Sequence, residues 1–116
     1  MDHPKLLLLE AEPVIAAHIL NLLESIGYDT YHASNMQEAL GWCTQNTPHL
    51  ALLNFHLDGL AVALALQNQF AIKSCFLTGC RQQDMLSDPR YTTNFVSLSK
   101  PFTPVQFKKM MAPFLP

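Results

Sequence analysis

Four places along this chain carry residue types that could handle a divalent cation and a phosphoryl group. They are the acidic stretch Glu10-Ala11-Glu12, then Asn54, Thr78 and Lys100. Carboxylate oxygens hold hard cations such as Mg²⁺, whereas a hydroxyl and an ammonium group stabilise phosphoryl oxygens. Asn54 is the exception, because an amide is a far poorer nucleophile than a carboxylate and cannot form an acyl phosphate. The chemistry therefore depends on what brings these positions together.

The hydrophobic pattern predicts a strand that ends at each of these places. Short apolar or β-branched runs at 5–9, 28–33, 50–54, 74–79 and 95–102 are typical of buried strands. Helical spacing follows Pro13, runs through 60–70 and begins again at Thr103 with Pro104. We expect a further helix over 34–45, opened by a capping box of Ser34 and Gln37, and a loop with one weak helix over 80–94.

Alternating strands and helices predict one α/β domain over residues 1–116, doubly wound, with a five-stranded parallel sheet and helices on both faces. Parallel strands need crossover connections of helix length, which is what the intervening segments supply. Functional loops in such sheets gather at the carboxyl ends of the strands. The four polar places are therefore expected to share one edge of the sheet.

Composition narrows the classes of function. The formal net charge is −2 and the seven Lys and Arg residues are scattered, which argues against direct binding to nucleic acid. No apolar run reaches the roughly 20 residues that span a bilayer, and the first residues are too quickly acidic for a signal peptide. We therefore expect a cytoplasmic protein without a membrane partner. Cys43, Cys75 and Cys80 lack metal-binding spacing and are expected to be buried free thiols.

Four short motifs, in this order, resemble the receiver domain of bacterial response regulators. "LLEAEP", "PHLALLN", "FLTG" and "LSKPF" are similar to that family's acidic, phosphoacceptor, hydroxyl and lysine motifs, and the resemblance extends from Lys5 to about Phe114. It implies a flavodoxin-like fold and a non-enzymatic module of two-component or phosphorelay signalling.

The resemblance also implies roles for individual residues. Glu10 matches the first metal-binding acid and Ala11 the second, while Asn54 matches the phosphoacceptor aspartate. The backbone carbonyl of His56 matches a Mg²⁺ ligand. Thr78 matches the switch hydroxyl and Lys100 the lysine that contacts the phosphoryl group.

Pro101, after that lysine, is a candidate for a cis peptide bond. Two matched positions, Ala11 and Asn54, have lost their carboxylate, so the sequence is interpreted as a pseudo-receiver without phosphorylation at Asn54. No cofactor is expected, and Glu10, Asn54 and His56 are at most weak Mg²⁺ ligands. Asn54 is instead expected to hydrogen-bond Lys100 or Thr78.

The same features leave other interpretations open. One alternative is a phosphorelay receiver that uses a substitute acceptor, with Asp58 the nearby candidate. Another is a flavodoxin-like domain that binds a small molecule, although no Gly-rich phosphate loop follows the first strand. Under the first interpretation we expect a protein partner such as a sensor kinase or a downstream regulator. A homodimer through the region from Arg90 to Phe114 is a further expectation.

Overall fold

Strands and helices alternate through the computed structural model, which describes residues 3–78, 96–99 and 102–114. The strands are β1 (Lys5–Leu9), β2 (Asp29–Ala33), β3 (Leu50–Asn54), β4 (Lys73–Thr78) and β5 (Val96–Ser99). The helices are α1 (Pro13–Ser25), α2 (Met36–Cys43), α3 (Leu60–Phe70) and α4 (Pro104–Met111). A π-helical turn, Phe55–Gly59, joins β3 to α3, and a 3-10 turn, Ala112–Phe114, follows α4. The weak helix predicted within 80–94 falls outside the described residues.

The strands form one parallel sheet in the order β2-β1-β3-β4-β5. The chain winds outward from β1 to β2 in one direction and from β3 to β5 in the other. A switch point of this kind lies between β1 and β3 and opens a crevice at the carboxyl ends of both strands. Leu9 pairs with Leu53 across this point, so the residues after β1 and at the end of β3 are brought side by side. The predicted flavodoxin-like, doubly wound fold is confirmed.

Each face of the sheet is covered by helices. Alternate side chains of the central strands point to opposite faces, so Leu7, Leu9 and Leu53 pack with α2 and α3, whereas Leu6 and Leu8 pack with α1 and α4. All four leucines of β1 are fully buried. The continuous apolar runs thus reflect strands that are covered twice, as parallel strands in α/β domains are.

The predicted start of α2 is wrong by one residue. Asn35, not Ser34, caps the helix: its Oδ1 accepts from the backbone N–H of Glu38 at 2.9 Å. The Glu38 carboxylate in turn accepts from the backbone N–H of Ser34 at 3.2 Å. Asn and Ser are equally good caps, so the neighbouring Glu38, rather than Gln37, decides which of the two is used. The helix also ends earlier than predicted, at Cys43.

The start of α4 is as predicted. Thr103 Oγ1 accepts from the N–H of Gln106 at 3.1 Å, and Gln106 accepts from the N–H of Thr103 at 2.8 Å. Pro104 occupies the first turn, where its missing N–H leaves no hydrogen bond unmade. No helix in the described ranges is both long and apolar enough to cross a membrane.

Candidate functional site

Glu10 is a carboxylate held at the switch point by hydrogen bonds from the protein. It follows β1 directly and is 1% exposed. Its Oε2 accepts from the backbone N–H of Ala11 at 2.9 Å and from that of Glu12 at 3.5 Å. It also accepts from the Asn54 side-chain amide at 3.0 Å. Since a buried charge is costly unless hydrogen-bonded, each of these donors stabilises the buried carboxylate.

Asn54 connects Glu10 to the turn that follows β3. Its Nδ2 donates to Glu10 Oε2, and its Oδ1 accepts from the backbone N–H of His56 at 3.0 Å. The two partners fix the amide orientation, because Nδ2 can only donate and Oδ1 can only accept. Of its two predicted partners, Thr78 is not bonded to Asn54 in the described part of the chain, where its partners are Glu10 and His56. Lys100, the other predicted partner, is outside that part.

The turn Phe55–Gly59 closes tightly on the end of β3. Asp58 has a φ of 55°, in the left-handed region, and is exposed. Gly59 lies against the Asn54 backbone, where an added Cβ would collide with the carbonyl oxygen and lie 2.9 Å from the carbonyl carbon. Glycine is therefore required at position 59, because the neighbouring atoms are backbone and cannot swing away.

Thr78 and His56 are in contact at the end of β4. Thr78 is fully buried at the end of β4, and its Oγ1 lies 3.4 Å from His56 Nε2. The His56 ring also sits edge-on to Phe55, with 5.6 Å between centroids, and Phe55 packs edge-on against Phe76 at 5.4 Å. The exposed imidazole is thereby held against the rim formed by the carboxyl ends of the strands.

Solved receiver domains have the same fold along nearly the whole of this chain. The signal receiver domain of an HD domain-containing protein from Pseudomonas fluorescens Pf-5 has a TM-score of 0.87 at 21% identity, over 99% of this chain and 88% of that one. The signal receiver domain of a histidine kinase from Syntrophus aciditrophicus has a TM-score of 0.79 at 26% identity, over 97% and 89%. This chain has the receiver-domain fold.

A third receiver domain, from a sensor histidine kinase of Pseudomonas aeruginosa PAO1, has a TM-score of 0.84 at 19% identity, over 97% of this chain and 98% of that one. That structure holds a magnesium ion in its active-site cleft. No family model matches the chain. No curated protein matches it either. The similarity to these solved receiver domains is therefore a similarity of fold.

The receiver fold brings together most of the predicted site residues that are described. Glu10, Asn54, His56 and Thr78 share one rim. Glu12 does not join them, because it is exposed and occupies the N-cap position of α1 without a side-chain capping bond. Ala11 is likewise exposed. Lys100 and Pro101 lie beyond the described ranges.

Sequence reasoning missed His32, which belongs to the same rim. Its Nε2 bonds the backbone carbonyl oxygen of Glu10 at 2.6 Å. His32 pairs with Leu8 in the register of β1 and β2, near the carboxyl ends of both strands. Its position near the end of a predicted strand was the available signal, but histidine matches no receiver motif there.

The carboxylate of Glu10 and the amide of Asn54 face each other at this rim. No group of three or more His, Cys, Asp or Glu side chains is placed to hold a metal ion in these ranges. Asn54 turns an N–H group, not an oxygen, toward Glu10. The Glu10 oxygen that faces Asn54 therefore accepts a hydrogen bond from the protein itself.

The described cysteines are structural. Cys43 and Cys75 are free and buried, as predicted, while Cys80 is not among the described residues. Burial raises the pKa of the Cys75 thiol to about 12, and burial also raises the pKa of Cys43. Because the thiolate is the reactive form, neither side chain is suited to redox or nucleophilic chemistry near neutral pH.

Proposed function

We propose that this chain is a receiver-like module of two-component signalling that acts through protein–protein contact, without phosphorylation at the usual acceptor position. The observation that carries the proposal is the Asn54 amide, which occupies the end of β3 and donates to Glu10 at 3.0 Å. An amide cannot form the acyl phosphate on which receiver signalling by an aspartate depends. The module is therefore not an enzyme in this proposal.

Weak or absent Mg²⁺ binding is a second part of the proposal. Mg²⁺ sheds water reluctantly and is held by carboxylates and phosphate oxygens. Ala11 supplies no carboxylate, and Asn54 directs its N–H toward the buried carboxylate of Glu10. These two features support a site that keeps its shape without a divalent cation.

A protein partner of the signalling pathway is the third part. The fold neighbours include receiver domains of histidine kinases and of an HD domain-containing protein, which supports a sensor kinase or a downstream regulator as the partner. A cytoplasmic location stays a prediction. A homodimer through the region from Arg90 to Phe114 stays a prediction. Val105, 73% exposed, and Val96, 39% exposed, lie in this region and support a contact surface there.

The test is the intact mass of the protein after incubation with phosphoramidate and Mg²⁺. The native protein is compared with Asn54→Asp, which restores the carboxylate, and with Asn46→Asp, which adds one away from the rim. We expect no phosphoryl adduct on the native protein or on Asn46→Asp. An adduct on the native protein that disappears in Asp58→Asn would contradict the proposal and support the substitute-acceptor alternative.

A further inference from the structure

A continuous chain of polar contacts crosses the rim from β2 to β4. His32 Nε2 bonds the Glu10 carbonyl oxygen at 2.6 Å, and Glu10 Oε2 accepts from Asn54 Nδ2 at 3.0 Å. Asn54 Oδ1 accepts from the backbone N–H of His56 at 3.0 Å. His56 Nε2 then lies 3.4 Å from Thr78 Oγ1. Asn54 is the middle member of this chain and links its two halves.

The middle position needs a side chain that donates on one side and accepts on the other. An ionised aspartate would accept from the His56 N–H but could not donate to Glu10, and it would set two carboxylates side by side. The Asn54 amide satisfies both neighbours at once. Its bond to Glu10 also fixes which end of the amide faces His56, and so orients the acceptor for the turn.

We propose that Asn54 is a positioning residue that holds the His56 imidazole against Thr78. The bond from the His56 N–H to Asn54 Oδ1 fixes the backbone conformation at the start of the turn. This backbone conformation places the His56 ring within reach of the buried Thr78 hydroxyl. Thr78 thereby has a contact from within the chain at the place where a signalling event would act. That consequence for signalling rests on the proposed function, whereas the positioning itself does not.

A competing account is that aromatic packing alone places His56. The ring lies edge-on to Phe55, which is anchored on Phe76. The two accounts differ in what Asn54 should control. If the amide positions His56, removing its oxygen displaces the ring from Thr78 even when Phe55 is intact; if packing is sufficient, it does not.

Nuclear magnetic resonance of the Thr78 methyl group tests the proposal, because the signal senses the nearby His56 ring. His56→Ala defines the signal without the ring. We expect Asn54→Ala to move the signal most of the way to that value. Asn54→Ser should restore it, since a serine hydroxyl also accepts from the N–H two residues on. Asn46→Ala, which removes an amide bonded to the Trp42 carbonyl, should leave it unchanged.

Two results would overturn the inference. The first is a native Thr78 signal in folded Asn54→Ala, and the second is equal displacement in Asn54→Ala and Asn54→Ser. Should the variants not fold, the native protein decides: a missing Overhauser contact between the His56 ring and Thr78 overturns the proposal, and its presence with a solvent-protected His56 amide supports it. Phosphoryl transfer is not read out here, so failure of this inference and failure of the proposed function are separate results.

Discussion

Gly59 allows the turn after β3 to close on the Asn54 backbone. A Cβ at this position would collide with the Asn54 carbonyl group, so we expect Gly59→Ala to lower the free energy of unfolding by about 1–3 kcal/mol. Gly41→Ala is the matched control, because nothing lies within 4 Å of a Cβ there. In the helix interior that change should raise the stability by roughly 0.5–1 kcal/mol. Urea unfolding of both variants measures the difference, and equal effects would contradict the expected clash.

For single residues, the sequence predicts which of them lie at the strand ends but not which groups they hydrogen-bond. Glu10, Asn54 and Thr78 could be placed from the apolar runs that precede them. The bond between Asn54 and Glu10 could not, because it depends on the lateral spacing of β1 and β3 and on which way an amide turns. Ser34 and Asn35 show the same limit, since both are good caps and only the position of Glu38 separates them.

The helix α2 offers a direct comparison of those two caps. We expect Asn35→Ala to lower the free energy of unfolding by about 1 kcal/mol, because it leaves the Glu38 N–H without its acceptor. Ser34 contributes only its backbone N–H to Glu38, which Ser34→Ala retains. Chemical unfolding of the two variants should therefore show a loss for Asn35→Ala alone. A larger loss of stability for Ser34→Ala would show that Ser34, the residue predicted from sequence, caps the helix.

Strand β4 contains a titratable group whose burial predicts a pH dependence. Burial raises the pKa of Cys75 from 9.0 to about 12. The folded state therefore keeps the thiol protonated while the unfolded state releases its proton. The stability from this group is complete below about pH 9 and is lost progressively as the pH rises toward 12.

We expect Cys75→Ala, although less stable near pH 7, to lose less stability than the native protein between pH 8 and pH 10. Cys43→Ala, whose parent thiol also has a raised pKa, should show the same direction of change. Urea unfolding at each pH measures the slopes. If the free energy of unfolding changed equally with pH in the native protein and both variants, thiol burial would not control stability between pH 8 and pH 10.

Among the helices and strands, the bounds are predicted best where the residue types strongly favour one kind of secondary structure. Helix α3 spans the predicted 60–70, because Leu, Ala and Gln are good helix formers and the π-helical turn marks its start. Strand β2 is less apolar, with an exposed Asp29 and half-buried residues after it. It was nevertheless predicted from its aromatic and β-branched residues, which suit an edge strand covered less completely than β1 and β3.

Across the whole molecule, one hydrogen bond ties the C-terminal 3-10 turn to the loop before β2. The buried Tyr28 hydroxyl donates to the Phe114 carbonyl at 2.9 Å. We expect Tyr28→Phe to lower the free energy of unfolding by about 0.5–1.5 kcal/mol. Tyr31→Phe should have little effect, because Tyr31 packs by stacking its ring on Trp42 at 4.8 Å. Thermal unfolding compares the two, and similar losses would mean that the bond to Phe114 contributes nothing specific.

The topology of the whole sheet followed from a general rule. Helical connections imply parallel strands. Because crossovers between parallel strands are almost always right-handed, only a few orders of five strands are possible. The observed order, β2-β1-β3-β4-β5, is one of them. The rule puts the residue after β1 beside the last residue of β3 in any sequence with this fold; here these residues are Glu10 and Asn54. The identity of these two residues then determines whether the crevice carries a pair of acids or an acid and an amide.

The leucines that fill β1 and β3 have a consequence for the chain before it folds. "LLLL" and "LALL" are buried on both faces in the sheet, but during synthesis they are exposed until the helices that cover them have formed. Apolar segments without proline or charge pair readily with copies of themselves. The yield of soluble protein should therefore fall with rising temperature and chain concentration during expression, when encounters between nascent molecules compete with closure of the sheet.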